Sequence, residues 1–266
     1  MYLRLPQFAG LFYPNNPIEL KKLINIYLQE VNIKDFNFKP KALIVPHAGY
    51  TYSGKIAAYG YKTLIGFNYQ NIILIGPSHN FIFKGLAVAP SGKWLTPLGE
   101  VSVLGIDAFV KVKKTDKTSI LIESFKIHEK EHSLEVQIPF LQTVLKDFQI
   151  TPILTGEVNN DLAVNLIDSI LDDNTLLIIS SDLSHYYSYN EAKRLDQITI
   201  DAILRYDLTQ LNNFGEACGI KGIEILLLIA KKNNWKVKLL KAANSGDTSG
   251  MKDQVVGYSS FVFYKD

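Results

Sequence analysis

Apolar residues along this chain fall into two patterns. Unbroken runs at 42–45 (ALIV), 71–76 (NIILIG) and 175–180 (TLLIIS) leave no polar face for water and predict strands buried on both sides. Between them, apolar positions recur every three or four residues and predict helices that lie on a sheet. Asn16, Pro17 and Glu19 read as a cap, a first-turn proline and a first-turn acid, followed by the stripe Leu20, Leu23, Ile24, Tyr27, Leu28 and Val31. Lys34–Lys41 then reads as a polar connection into the first strand. Ser53 is placed to cap a helix with Ala57, Tyr61, Leu64 and Ile65 on one face. Ser133 is expected to open another, carrying Leu134, Ile138, Leu141, Leu145 and Phe148, with a kink at Pro139.

Further along, helices are predicted over Asp161–Leu171, Asn190–Tyr206 and Ile223–Ala230, and strands over Lys236–Ala243 and Val255–Tyr264. Gln149–Leu154 reads as a strand that Pro152 confines to an edge. Phe81–Pro90 reads as a loop leading to an edge strand, Trp94–Gly99 as a turn-rich segment whose Trp94 covers the core, and Lys111–Lys117 as a solvated loop. No repeat, low-complexity tract or linker divides the chain, so the pattern predicts a single α/β domain over 1–266 with a largely parallel sheet.

Composition narrows the function. A net charge of +2 gives no reason to invoke nucleic acid or an anionic membrane. The single cysteine, Cys218, excludes an internal disulfide and fits a reducing compartment. The first residues contain no apolar signal-peptide core, and the greasiest segment, Ile225–Ala230, is too short to span a bilayer, so a cytoplasmic location is expected.

The chemistry lies in the histidines, of which there are five. His47, His79 and His185 each follow a buried strand, and the carboxyl ends of such strands are where open α/β sheets bind ligands. Two imidazoles and one carboxylate form the facial set of non-haem iron chemistry. Asp247, on the Ser-Gly-Asp turn after the strand from Lys236, is the expected carboxylate ligand, with Asp182 its competitor or an acceptor that orients a histidine. His185 then remains to carry protons. Tyr50, Tyr52, Tyr186 and Tyr187 flank the histidine turns as walls of an aromatic-tolerant pocket. The string His128-Glu129-Lys130-Glu131-His132 matches the zinc-peptidase motif, which works only on a helix. Because Ser133 looks like the cap of the next helix, the preferred reading is a charged loop whose Glu131 and His132 line or brace the site.

The ordered motifs VPHAGYTYSG, GPSH, TPLG, EHSLEVQIPFLQ, SSDLSHYY, ACG, NSGDTSG and VGYSS resemble the MEMO family, known in microbes as protein B of the AmmeMemoRadiSam system, from Phe8 to the C-terminus. That resemblance implies an α/β sandwich like the class III extradiol ring-cleaving dioxygenases. It implies metal ligands at His47, His79 and Asp247, where animal members carry Cys and the ring-cleaving enzymes Glu. It makes His185, Asp182 and His132 the catalytic candidates. The implied cofactor is a divalent metal, iron(II) first, with zinc or copper as alternatives. The implied partners are a small molecule or peptide and a radical-SAM pathway protein, with turnover as an oxidoreductase or non-catalytic binding as the alternatives.

Overall fold

The computed structural model describes residues 2–33, 36–109 and 120–266; Lys111–Lys117 and the start of the Lys34–Lys41 connection lie outside them. In chain order the elements begin with β1 (Tyr2–Arg4), α1 (Pro17–Glu30), β2 (Pro40–Val45), α2 (Lys55–Lys62), β3 (Asn71–Pro77), β4 (Leu86–Val88), β5 (Gly92–Thr96), β6 (Gly99–Val103) and β7 (Leu121–Glu123). They continue with α3 (Phe125–Glu129), α4 (Ile138–Val144), β8 (Gln149–Thr155), α5 (Asn160–Asp168), β9 (Thr175–Ser180), β10 (His185–Tyr187) and α6 (Tyr189–Arg205). The last are α7 (Leu208–Phe214), α8 (Ile220–Lys232), β11 (Lys236–Asn244), α9 (Ser245–Ser249) and β12 (Val255–Tyr264).

The three apolar runs become neighbours: β9 lies between β3 and β2, parallel to both. Their side chains alternate between two cores. Leu43, Val45, Ile72, Leu74, Leu176 and Ile178 join α1, α2 and α4 on one face. Ala42, Ile44, Ile73, Ile75, Leu177 and Ile179 join α5, α6 and α8 on the other. Each aliphatic side chain so buried contributes about 1.5–3 kcal/mol, which is why polar residues in these runs, Asn71, Thr175 and Ser180, fall only at their ends. The whole is an α/β sandwich on a mixed, mostly parallel sheet, β1-β5-β6-β8-β3-β9-β2-β12-β10, with β11, β4 and β7 attached beside it. Gly60 lets α2 approach the sheet closely, since a Cβ there would meet Val45 Cγ1 at 2.6 Å. Among the described residues no helix is long and apolar enough to cross a membrane.

Several elements match their expected form. Asn16 accepts from the N–H groups of Ile18 and Glu19 to cap α1, and β12 covers Val255–Tyr264; Trp94 is buried as expected, though it lies in strand β5 rather than in a turn-rich segment.

Four expectations are corrected. Ser53 does not cap a helix: it lies in a π-type turn at Tyr50–Gly54, its hydroxyl donates to Ala48 O, and α2 starts at Lys55. Ile65 lies past the end of α2, 53% exposed. Ser133 does not begin a continuous helix; a 3-10 turn at Glu135–Gln137 precedes α4, and Pro139 sits in the first turn of α4, where its missing N–H is harmless, so there is no kink. Finally, β8 is interior, flanked by β3 on one side and by β6 and β4 on the other. β6 pairs only up to Ile150 and β4 only from Ile153, so Pro152 falls in the gap between two short partners. Its carbonyl accepts from Ala89 N on that side, so the missing donor faces the gap as well.

Candidate metal centre

Parallel pairing brings the ends of β2, β3 and β9 to one edge, and the turns after them build a crevice of about 770 Å³. His47, His79, His132, Asp182, His185 and Cys218 line it, with Phe12, Tyr52, Tyr186, Met251 and Tyr258 as walls. Of the four flanking tyrosines, Tyr52 and Tyr186 meet the crevice; Tyr50 is buried in the core, and Tyr187 hydrogen-bonds Glu216.

Three histidines form the cluster. One ring nitrogen from each of His47, His79 and His132 lies within 4.8 Å of the others, close enough that a modest contraction would let them hold one metal ion. The rings of His47 and His79 meet edge to face at 81°, with centroids 5.3 Å apart. His132 stacks on His79 at 4.5 Å and 23°, backed by Phe12 at 4.7 Å.

Hydrogen bonds settle which nitrogens carry protons. Gln137 Nε2 donates to Pro46 O and to Ser180 Oγ, at 3.0 and 2.8 Å. Ser180 Oγ gives its own proton to Ser133 O at 2.5 Å, so it can only accept from His47 Nδ1, 2.9 Å away. The Nε2 lone pair of His47 is therefore the one facing the crevice. On His79 the device is a carboxylate: Nδ1–H donates to Glu131 Oε1 at 2.8 Å, and the backbone N–H donates to Oε2 at 2.7 Å. Glu131 also accepts from Ser133 N at 2.9 Å and lies 3.4 Å from His132 Nδ1. This carboxylate–histidine pairing is how metal-binding imidazoles are oriented.

Electrostatics separate the rings: His47 and His132 are held neutral, whereas Glu131 favours the charged form of His79. Burial, with His79 nearby, pushes His47 down to about 3, and burial lowers His132 to about 4, so both are neutral at ordinary pH. Burial opposes the charge of Glu131, but the His79 hydrogen bond and the N–H donors outweigh it and hold the carboxyl at about 2. Burial also acts against a charged His79, yet Glu131 more than compensates and its pKa is raised.

Asp182 is buried and braces the His47 turn rather than a ring: Oδ1 accepts from His47 N at 2.7 Å. His185 lines the same crevice, on β10 against β12.

Asp247 does not join the histidines. It is the third helical residue of α9, in a capping box: Oδ2 accepts from Asn244 N at 3.0 Å and Oδ1 from Tyr189 OH at 2.7 Å. It lines a separate cavity with Lys55, Lys193 and Asp196, while Ser245 and Ser249 of the same turn face the crevice. The spacing of Asn244 and Asp247 carried that capping signal. A thiol does reach the centre, but it belongs to Cys218, whose Sγ lies 3.3 Å from His47 Nε2 and accepts from Asp182 N at 3.2 Å. The H-E-x-x-H string does not form a two-histidine helix face: α3 ends at Glu129, His132 lies beyond it, and the buried His128 donates from Nε2 to Ala87 O at 3.0 Å.

A family model described as Memo-like protein matches residues 4–262. A MEMO1 family protein of Thermoplasma volcanium is 37% identical over 98% of both chains. Relatives of the same description from Sulfolobus acidocaldarius and Saccharolobus solfataricus are each 36% identical, over 98% and 96% of this chain and 99% and 97% of their own.

Proposed function

Because the chain belongs to the Memo-like family, we propose that its crevice holds a divalent cation, iron(II), at His47 and His79 with His132 beside them, and acts as an oxidoreductase on a small organic molecule. One observation carries the reading: Ser180 and Glu131 engage both Nδ1 atoms, so the Nε2 edges of two imidazoles turn to the same space, where a cation would replace the proton that Glu131 favours on His79. An iron(II) ion there would supply open coordination positions for a substrate oxygen and dioxygen.

The protein's own groups do the rest. The side chains of Phe12, Tyr52 and Met251 present an apolar wall to a ring or chain, and among the described residues no Lys or Arg lines the crevice. That lining suits a neutral ligand better than a phosphorylated one. His185, which lines the same crevice, would move a proton to or from the bound molecule. Asp182 keeps the His47 turn fixed through its backbone hydrogen bond.

Anaerobic purification followed by metal analysis tests the cation, with His47→Ala expected to lose it. Oxygen uptake with a panel of catechols tests turnover, and His185→Ala should abolish uptake while retaining metal. Wild-type protein that takes up no divalent cation would refute the reading.

A second reading has its own support: the cluster is three histidines rather than two histidines and a carboxylate, a set also suited to zinc. On that reading the protein retains zinc or copper and serves a radical-SAM pathway as a binding protein, without consuming oxygen.

A further inference from the structure

The N-terminal arm contributes Phe12 to the crevice wall but none of the three clustered histidines. It nevertheless grips the segment that carries His132 and the carboxylate that orients His79. Arg4 is 2% exposed, and its guanidinium lies 4.4 Å from the centre of the Trp94 ring. Nε donates to His128 O at 3.0 Å, and Nη2 donates to Glu129 O at 3.2 Å and to Glu131 O at 2.9 Å. Nη1 pairs with the buried Glu135 carboxylate at 2.5 Å. One planar fork thus ties down three carbonyls between residues 128 and 131.

The far end of the fork is anchored as firmly. Glu135 also accepts from Gln7 N at 3.0 Å, Phe8 N at 2.8 Å and Tyr13 OH at 2.7 Å. This closes the arm over His132, which Phe8 and Phe12 flank at 5.5 and 4.7 Å.

We propose that Arg4 is a positioning residue for the cation site, acting through the backbone of Glu131 to set the carboxylate that orients His79 and lies beside His132. The proposal rests on the cation reading above. Its physical basis is tolerance: cation-ligand distances hold to about 0.2 Å, so a loop free to drift by half an ångström no longer presents the imidazoles correctly. His128 and Glu129 carry the last carbonyls of α3, where no further helical turn follows to satisfy them, and Arg4 supplies donors to both and to Glu131 O beyond. Lysine is no substitute, since its donors radiate from one nitrogen and cannot span three carbonyls and a carboxylate in one plane.

The test is Arg4→Lys in the full-length chain, with Glu135→Gln as a milder second variant that keeps the fork but weakens its anchor. Zn(II) affinity is measured by chelator competition, and the Co(II) ligand-field spectrum is recorded, at a temperature where circular dichroism shows each protein folded. Arg4→Lys is expected to weaken Zn(II) binding 10- to 100-fold, the usual loss on removing an outer partner, and to alter the Co(II) spectrum. Glu135→Gln should do the same to a smaller degree. Variants that melt earlier but bind Zn(II) within threefold of wild type, with an unchanged Co(II) spectrum, would make Arg4 a fold anchor only and overturn the proposal. Wild-type protein that binds neither cation would instead remove the site reading, and this inference with it.

Discussion

Glu131 holds His79 at two points, its Oε2 on the backbone N–H at 2.7 Å and its Oε1 on the ring Nδ1–H at 2.8 Å. Main chain and imidazole are therefore locked as one unit. Glu131→Gln keeps the shape but removes the charge, and its amide cannot accept at both points. Zn(II) or Co(II) affinity should fall 10- to 100-fold, read by titration; unchanged affinity would mean that the carboxylate has no part in orienting the ring.

Asp196 makes the pH dependence of stability testable. Burial raises its carboxyl to about 6, against an ordinary value of 3.8. The fold therefore favours the protonated form: this contribution to stability is complete below about pH 4 and is lost as pH rises through 6. Asp196→Asn, permanently neutral, should be more stable than wild type at pH 8 by up to about 3 kcal/mol, and the gap should close towards pH 4. Thermal unfolding across that range checks the sign.

Gly76 is the point where β3 passes beneath the Ser133 segment. A Cβ there would meet Leu134 Cδ2 at 2.8 Å and Ser133 Oγ at 2.9 Å. Gly76→Ala should cost about 1–3 kcal/mol, as overpacking does, visible as a lower urea midpoint.

The Cys218 thiol should be slow to react. Burial, with Asp182 nearby, pushes it up to about 12, so its thiolate fraction at pH 8 is very small. Alkylation of the native protein should be on the order of a thousandfold slower than of the urea-unfolded chain. Comparable rates would show the thiol to be open and activated.

The sequence revealed what local chemistry decides. Strands buried on both faces appear as unbroken apolar runs, so β2, β3 and β9, and the turns carrying His47 and His79, were legible. Long-range pairings were not. Nothing near Pro152 reveals that its two neighbours on one side stop short of it. Asp247 looked like a ligand because it follows a strand and a glycine, but three residues earlier Asn244 offers a backbone N–H, and the capping box claims the carboxylate. The sequence places His132 only as a residue that lines or braces the site; its place within the cluster depends on Glu131, Phe8 and Phe12 meeting around it. Arg4 gave only an arginine set between leucines, with its carboxylate partner 131 residues away.

That distance bears on how the molecule assembles. The thiol beside His47 comes from 171 residues further along the chain, so closing the crevice requires large loops to be shut, at an entropic cost that grows only slowly with their length. No fragment carrying one histidine turn can hold the set together. An ion captured there would act as a clasp on the completed topology, adding its binding free energy to the native state alone.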